Sequence, residues 1–185
     1  FAAGAAYSWC LDANRDLDLA PALSWHAFDD RSGTMGRLAY DLGNAYQASG
    51  FRMHNATVFH RLLVRSLPEL AAMKGVQNYK MLDALALVEQ CAGLLDADKM
   101  TRPDAPLIRR EFANTIRLLR HAIRRWQLAF EPDAAAAARA KQELKTDLAA
   151  CLEEYRAIWL ERNRPGGLED STARFETIKK DVDLV

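Results

Sequence analysis

The side chains that most often do chemistry in proteins are present in this sequence, but their spacing fits no catalytic or metal site. The histidines lack the spacing of metal ligands on one helical face, and no cysteine or carboxylate completes a cluster around His26, His54, His60 or His121. Glu153 and Glu154 are adjacent, and adjacent residues on a helix point about 100° apart, so they do not share a substrate as acid and base. We expect no catalytic residue, no metal site and no cofactor in this chain.

Arginine is concentrated in the segment between residues 104 and 130, at Arg109, Arg110, Arg117, Arg120, Arg124 and Arg125. A nucleic-acid-binding face would combine net positive charge with exposed aromatic side chains. The chain instead has 25 Lys and Arg against 25 Asp and Glu, a formal net charge of zero. We therefore predict no nucleic-acid partner and a solvated face paired with the acidic residues of the next segment, Glu143, Asp147, Glu153, Glu154 and Glu161.

The three cysteines, Cys10, Cys91 and Cys151, lie far apart, each within an apolar pattern. An odd, scattered set makes neither a disulfide framework nor a zinc site, so we predict buried thiols and leave the cellular compartment open. No apolar run reaches the roughly 18 residues of a transmembrane helix, so we expect no membrane partner.

Two features each permit two interpretations from the residues alone. Trp9 follows a run of small residues. Its indole face could stack on the C–H face of a pyranose, or the side chain could lie in the core, where Trp is usually buried. The adjacent carboxylates Asp29 and Asp30 could cap a helix or bind a loop. Both alternatives remain open at this point.

The element around which the rest of the chain is organised is a predicted helix from Asp104 to Phe130. Asp104 is a suitable N-cap, and Pro106 falls in the first turn, where its missing N–H costs nothing. The helix would be roughly 40 Å long and needs several neighbours to cover it. Apolar residues recur at steps of three and four along it, at Ile108, Phe112, Ile116, Leu119, Ile123, Trp126 and Phe130.

Helical periodicity also accounts for most of the remaining chain and predicts an all-α helical bundle with two long antiparallel helices. No strand is supported after residue 10. Glu131-Pro132-Asp133 predicts the turn that joins the two long helices. Besides the helix described above, we predict helices over residues 19–28, 34–48, 55–65, 67–74, 78–95, 134–163 and 168–182.

Two stretches carry a family resemblance. FAAGAAYSWCLDANRDLDL, residues 1–19, and WLERNRPGGLEDS, residues 159–171, resemble parts of bacterial glycoside hydrolase family 20 proteins, the β-N-acetylhexosaminidases. The first is similar to the end of their catalytic barrel, where a strand of small residues ends in a Trp at the sugar pocket. The second is similar to a sequence signature near the C-terminus of one bacterial branch of this family, whose members have a helical region after the barrel. The resemblance covers nearly the whole chain, including residues 28–30 and 40–44.

The resemblance implies two parts: residues 1–17 as the end of a catalytic barrel with its connecting loop, and residues 18–185 as a C-terminal helical domain. Their partner would be the missing catalytic barrel of the same polypeptide and, through it, a carbohydrate substrate. Members of the family have a Trp-x-Glu pattern at the sugar pocket. The resemblance implies that Trp9 is the tryptophan of this pattern and binds substrate. Asp12 is offset by one position from the place of the glutamate and is not assigned its role.

The family's catalytic Asp-Glu pair lies on an earlier barrel strand, and no residues here match it. The resemblance therefore implies a chain cut from a longer hydrolase and not catalytic on its own. A strand without its sheet neighbours should be disordered, become helical or pair with another copy of the chain as a homodimer. The competing interpretation is a self-contained helical interaction module with no connection to glycosidases.

Overall fold

A computed structural model describes residues 2–183, apart from the side chains at positions 177, 182 and 183. The fold is all-α, and the described backbone forms no β-strand, only an isolated bridge between Asp30 and Met100. The helices are α1 (Ala2–Trp9), α2 (Leu11–Asn14), α3 (Leu19–Leu23), α4 (Thr34–Asn44), α5 (Val58–Val64), α6 (Leu67–Ala71), α7 (Asn78–Leu95), α8 (Ala105–Ala129), α9 (Ala134–Arg162), α10 (Leu168–Ala173) and α11 (Glu176–Asp183). A π-helical turn, Ser24–Phe28, extends α3, and a 3₁₀ turn, Ala45–Ser49, extends α4.

Helix α8 is the centre of the bundle, as its periodicity predicts. It packs against α5, α6, α7 and α9. Ile116, Ile123 and Trp126 of its stripe are buried in the main core. The stripe is less deeply buried at two aromatic positions, since Phe112 is only partly buried and Phe130 lies exposed at the C-terminal end. Phe112 packs edge-on against Phe28, with 5.7 Å between ring centroids.

The two long helices α8 and α9 form the predicted antiparallel pair. Asp133 caps α9 by accepting a hydrogen bond from the Ala136 N–H at 2.6 Å. Ion pairs then join the two helices, with Arg117 2.6 Å from Asp147 and Arg110 2.7 Å from Glu154. The order of these pairs along the two helices requires opposite chain directions. Helix α9 also buries Leu144, Leu148, Cys151 and Leu152, and Leu144 packs against Leu128 of α8.

The N-terminal half of the bundle depends on one close approach between α3 and α4. A Cβ added at Gly36 would lie 1.9 Å from the Ala20 carbonyl oxygen, so only glycine fits there. The Gly36 N–H donates to the Ser24 hydroxyl at 2.8 Å, and Ser24 is fully buried. The missing side chain thus allows α4 to lie directly on the π-helical turn and positions Met35 and Leu38 in the core.

Several predicted helix boundaries are corrected by the structure. The helix predicted from residue 55 begins at Val58 after an irregular stretch in which Ala56 has a positive φ of 72°. The helix predicted over 168–182 is two helices, α10 and α11, separated at Arg174 and Phe175. Helix α6 begins with a capping box at Ser66, in which the Glu69 carboxylate accepts from the Ser66 N–H at 2.8 Å.

The N-terminal segment is a helix and does not have the backbone of a barrel strand. Alanine occupies four of the eight positions of α1 and is the strongest helix former, whereas an isolated strand would leave its N–H and C=O groups without partners. The Asn14 side-chain amide donates to the carbonyls of Ala6, at 3.0 Å, and Cys10, at 2.8 Å, which holds α1 against α2. The prediction of a remnant strand is therefore wrong for residues 2–9, which adopt the helical alternative.

Candidate functional site

A group of large apolar side chains lies exposed at the N-terminal end of the chain. We call Tyr7, Trp9, Leu11, Leu17 and Trp25 the N-terminal aromatic face. Trp9 is 90% exposed and Trp25 is 59% exposed, which is unusual for the residue type with the largest apolar surface. Single exposed apolar residues are common, but several within one short segment are typical of a surface that contacts another molecule.

The helices that carry this face are held by few contacts. No residue of α1 is buried, and α1 packs mainly against α2 and α3. The link to the bundle begins at Asp18, whose carboxylate accepts from the Ala20 N–H at 3.1 Å and so caps α3. Trp25 lies on the π-helical turn, which Asp29 ends with a left-handed φ of 48°. The face thus extends from a loosely attached helix onto the bundle itself.

Trp9 is not a core residue, so the burial alternative for this side chain is wrong. Its indole lies open to solvent, as a sugar platform requires. The neighbouring Asp12 is also exposed, and its carboxylate lies 3.4 Å from Arg15, a pair that contributes little in water. Neither residue lies in a cleft with an acid or a base that could act on a substrate. The segment can bind, but its geometry includes no catalytic pair.

The second resembling stretch, residues 159–171, forms the end of α9 and the turn into α10. The indole N–H of Trp159 donates to the Arg164 carbonyl at 2.9 Å, which folds the chain back after the helix ends. Gly167 has a φ of 84°, a conformation that favours glycine, and a Cβ there would lie 3.6 Å from the Trp159 ring. Leu168 then begins α10 as a buried residue. Helix α9 thus ends at Arg162, one residue before its predicted end.

A chain of polar contacts joins this stretch to the π-helical turn that carries Trp25. Arg162 lies 3.0 Å from Asp104 and 2.7 Å from Glu111. Asp104 also binds Arg102 at 2.8 Å, and Arg102 donates to the Ala27 carbonyl at 2.7 Å. Hydrogen bonds from Arg102 and then Arg162 lower the pKa of Asp104 to about 2. The end of α9 is therefore linked to the π-helical turn through the start of α8.

The arginines of α8 lie at the surface as predicted, with one exception, and all of these surface arginines but Arg124 form ion pairs with described residues. Arg110 binds Glu154 and Glu161, Arg117 binds Asp147, and Arg120 binds Glu89 of α7. These pairs lie at the surface between helices. They account for three of the acidic residues predicted as partners, Asp147, Glu154 and Glu161, and leave no continuous positive face on α8 for nucleic acid.

Arg125 is the exception, because it is fully buried. Its guanidinium donates to Asp181 of α11 at 2.5 Å and to the carbonyl oxygens of Leu62 and Arg65. Burial lowers the pKa of Arg125, and the adjacent Asp181 carboxylate opposes that effect. The prediction of a solvated Arg125 is wrong. The signal in the sequence is its position three residues after Ala122 and three before Leu128, two apolar residues that lie buried.

His121 is a second buried polar residue that the sequence did not reveal, since it stands alone in the chain. Its Nδ1 lies 2.9 Å from an Asp147 carboxylate oxygen, and its Nε2 has no partner within the described residues. Burial raises the pKa of Asp147, but hydrogen bonds from His121 and Arg117 outweigh this effect and hold it below the usual value. Because His121 is inaccessible to solvent, this pair joins α8 to α9 and cannot act on a substrate.

The thiols differ from one another in accessibility. Cys91 and Cys151 are buried as predicted, and burial raises the pKa of Cys91 to about 11 and that of Cys151 to about 12. Cys10 is exposed, which corrects the prediction of a buried thiol there. It follows α1, in which no residue is buried. Over residues 2–183, no group of three His, Cys, Asp or Glu side chains could hold a metal ion.

The pair Asp29–Asp30 fastens loops, and the two residues do so differently. Asp30 is buried and accepts from the backbone N–H of Met35 at 2.8 Å and of Lys99 at 2.9 Å. Burial raises its pKa, but the hydrogen bonds it accepts prevail and lower it. Asp29 accepts from the Thr101 hydroxyl at 2.6 Å. Both carboxylates are satisfied by protein groups, so the pair serves the fold.

Comparison of the chain with protein-family models, with curated proteins and with solved structures gives no match. Within the part of the chain that the structure describes, every helix is too short or too polar to cross a bilayer.

Proposed function

We propose that this chain is the C-terminal accessory domain of a glycoside hydrolase that acts on N-acetylhexosaminides, and that it supports a catalytic barrel through the N-terminal aromatic face. The observation that carries the proposal is the exposure of Trp9 and Trp25 on helices that link directly to the bundle. Because residues 1–19 resemble the end of a family 20 barrel, we infer that the barrel surface would cover this face.

The energetics support a covered state for this face. An aromatic side chain buries about 150 Å² or more, and each Å² contributes roughly 25 cal/mol, so covering one fully exposed aromatic side chain would contribute about 4 kcal/mol. That is a large share of the stability of a typical domain. A helix with no buried residue gains most from such a contact, because it has little packing of its own.

The polar network of Arg162, Asp104 and Arg102 supports the same proposal. It connects Arg162, the first residue of the RNRPGG sequence, to the carbonyl of Ala27, two residues after Trp25. The turn would thus stiffen the part of the bundle that receives the barrel. Trp9 would contribute an aromatic platform at the edge of the sugar pocket, and the acid and base would come from the barrel.

The test is expression of the whole open reading frame that encodes this chain, with a chromogenic N-acetylglucosaminide as substrate. We expect a preceding barrel with an Asp-Glu pair and hydrolysis by the whole protein, and no turnover by residues 1–185 alone. Trp9→Ala should raise KM more than it lowers kcat, because the platform binds substrate and transition state similarly. Tyr79→Ala, at an exposed aromatic on α7, is the matched control.

The outcome that contradicts the proposal is a reading frame with no barrel before Phe1, or a whole protein without glycosidase activity. In that case the same exposed face favours the alternative, a self-contained helical interaction module. A soluble partner that protects Trp9 and Trp25 from fluorescence quenching by acrylamide would then identify the module's function.

A further inference from the structure

The loop between α4 and α5 and the turn after α6 enclose a cleft of about 460 Å³ on the side of the bundle formed by α5 and α6. Its volume falls within the range of small-molecule sites. Its walls combine an apolar floor with positive charge at one side. It is lined by Phe51, Met53, His54, Asn55, Arg61, Arg65, Met73 and Lys74.

The positive charges of this cleft are not neutralised by ion pairs. The side chains of Arg61 and Lys74 make no hydrogen bond or ion pair with any described residue, whereas Arg110, Arg117 and Arg120 of α8 each bind a carboxylate. Arg65 faces one carboxylate, that of Glu69, whose pKa is lowered chiefly by hydrogen bonds from Ser66 and in small part by Arg65. Unpaired cations around a cleft are typical of a site for an anion, which would complete their charge pairing.

The local charge balance also differs from that of the chain as a whole. Residues 50–80 contain five Lys and Arg and one acidic residue, a net charge of +4 with His neutral, whereas the whole chain has a net charge of zero. The five are Arg52, Arg61, Arg65, Lys74 and Lys80. Residues 104–130 also have a net charge of +4, six Arg against Asp104 and Glu111, but most of those arginines are paired with carboxylates of other segments. A doubly charged ligand would therefore be attracted to the unpaired cations on this side of the bundle.

The loop that forms one wall is held in an uncommon conformation. Ala56 has a positive φ of 72°, which an alanine rarely adopts and which costs about 1 kcal/mol or more. The Phe51 ring packs against the turn at Gly75, and a Cβ built at Gly75 would lie 3.5 Å from that ring. Such loops persist where surrounding contacts fix them, and they are frequent at ligand sites.

We propose that this cleft binds a phosphate monoester whose organic group is apolar or aromatic. Arg61, Arg65 and Lys74 bind the phosphate oxygens, since a guanidinium and an ammonium are the usual phosphate partners. Phe51, Met53 and Met73 contact the organic group, because aromatic rings and flexible thioethers adapt to apolar ligands. The inference is independent of the proposed glycosidase connection. It concerns residues 51–74, which do not include the N-terminal aromatic face.

The experiment is isothermal titration calorimetry of the full chain with phenyl phosphate as the probe. Inorganic phosphate and phenol are titrated separately, so that the charge and the ring are each tested alone. We expect phenyl phosphate to bind more tightly than inorganic phosphate and phenol to give no measurable binding. Met53→Ser should weaken phenyl phosphate but leave inorganic phosphate unchanged, because it alters only the apolar floor.

Charge variants locate the site. Arg61→Gln and Lys74→Gln should each weaken phenyl phosphate binding by about tenfold or more, the usual effect of losing a hydrogen bond to a charged group. Arg139→Gln removes an exposed arginine of α9 outside the cleft and should leave the dissociation constant unchanged. Lys74 is exposed, so its variant should fold even if Arg61→Gln does not, which circular dichroism checks.

Three results would overturn the proposal. One is the absence of phenyl phosphate binding at millimolar concentration. Another is an equal loss of binding in Arg139→Gln and Lys74→Gln, which would indicate general attraction to positive charge. The third is tighter binding of a single-stranded oligonucleotide than of phenyl phosphate, which would assign this surface to a polymer backbone instead.

Discussion

Arg120 and Arg125 lie five positions apart on the same helix, yet their environments are opposite. Arg120 binds Glu89 at the surface, with both side chains partly exposed to water. Arg125 has no exposed surface, and Asp181 provides its only carboxylate among the described residues. A surface pair contributes little to stability, whereas a buried charge without its partner is costly. The same residue type therefore has very different importance at the two positions.

Asp181→Asn should destabilise the protein by about 3–5 kcal/mol, because it leaves the buried guanidinium of Arg125 uncompensated. The double variant Arg125→Met/Asp181→Leu should be much less destabilised, since it removes both charges and keeps an apolar volume. Urea unfolding measures both effects. Glu89→Gln, which breaks the surface pair with Arg120, is the control and should cost under about 1 kcal/mol. Similar losses in Asp181→Asn and Glu89→Gln would mean that Arg125 is hydrated.

The thiols allow a second test at the level of residues. In native protein, Ellman's reagent should modify Cys10 alone, because Cys91 and Cys151 are buried and burial raises their pKa values to about 11 and about 12. In denaturant all three should react. The matched control is Cys10→Ser, which should abolish the native reaction. Rapid modification of Cys151 in native protein would contradict the packing of α9 against α8.

Helical periodicity predicts the long helices of this fold, because their apolar stripes are visible in the sequence. It does not predict features that depend on contacts between distant segments. Asn78–Leu95 and the long helices match their predicted spans to within one residue, because long apolar stripes leave little choice. Residues 2–9 are an ambiguous run of small residues, and their helix could not be distinguished from a strand by pattern. The cleft could not be predicted either, since Arg61 and Lys74 meet only after α5, α6 and their loops fold.

Helix α1 should be the least protected helix in amide hydrogen exchange. It has no buried residue, whereas Ile116, Ala122, Ile123 and Trp126 of α8 lie in the main core. We expect residues 3–9 to exchange nearly as fast as an unfolded peptide in dilute monomer. Protection that appears only at high protein concentration would indicate pairing of copies through the N-terminal aromatic face, and Trp9→Ser should abolish it. Equal protection of α1 and α8 in a monomer would mean that α1 belongs to the core.

For the whole molecule, acid should weaken the fold between about pH 4 and about pH 2. Hydrogen bonds from Arg102 and Arg162 lower the pKa of Asp104 from 3.8 to about 2, and Asp30, Asp98 and Asp147 are also lowered. Because these folded-state pKa values lie below the unfolded ones, their stabilisation is present above about pH 4 and is lost as pH falls through the folded values.

Urea midpoints measured at successive pH values test this prediction. The decline should be shallower in Asp104→Asn, which lacks one of the carboxylates that must be protonated. Asp83→Asn, an exposed position on α7, changes the net charge equally and is the control. A midpoint that rises as the pH falls from about 4 to about 2 would contradict the network of Asp104 with Arg102 and Arg162.

The buried pair of Arg125 and Asp181 also has a consequence for synthesis on the ribosome. The two residues are 56 positions apart, and elongation at about 5–20 residues per second separates them by roughly 3–11 seconds. During that interval α5 and α8 exist, but the guanidinium that joins them to α11 lacks its counter-charge and stays hydrated. We therefore expect the nascent chain to remain open along the α5–α8 seam until α11 leaves the exit tunnel, and chaperones that bind apolar segments would find Leu62 and its neighbours accessible for those seconds.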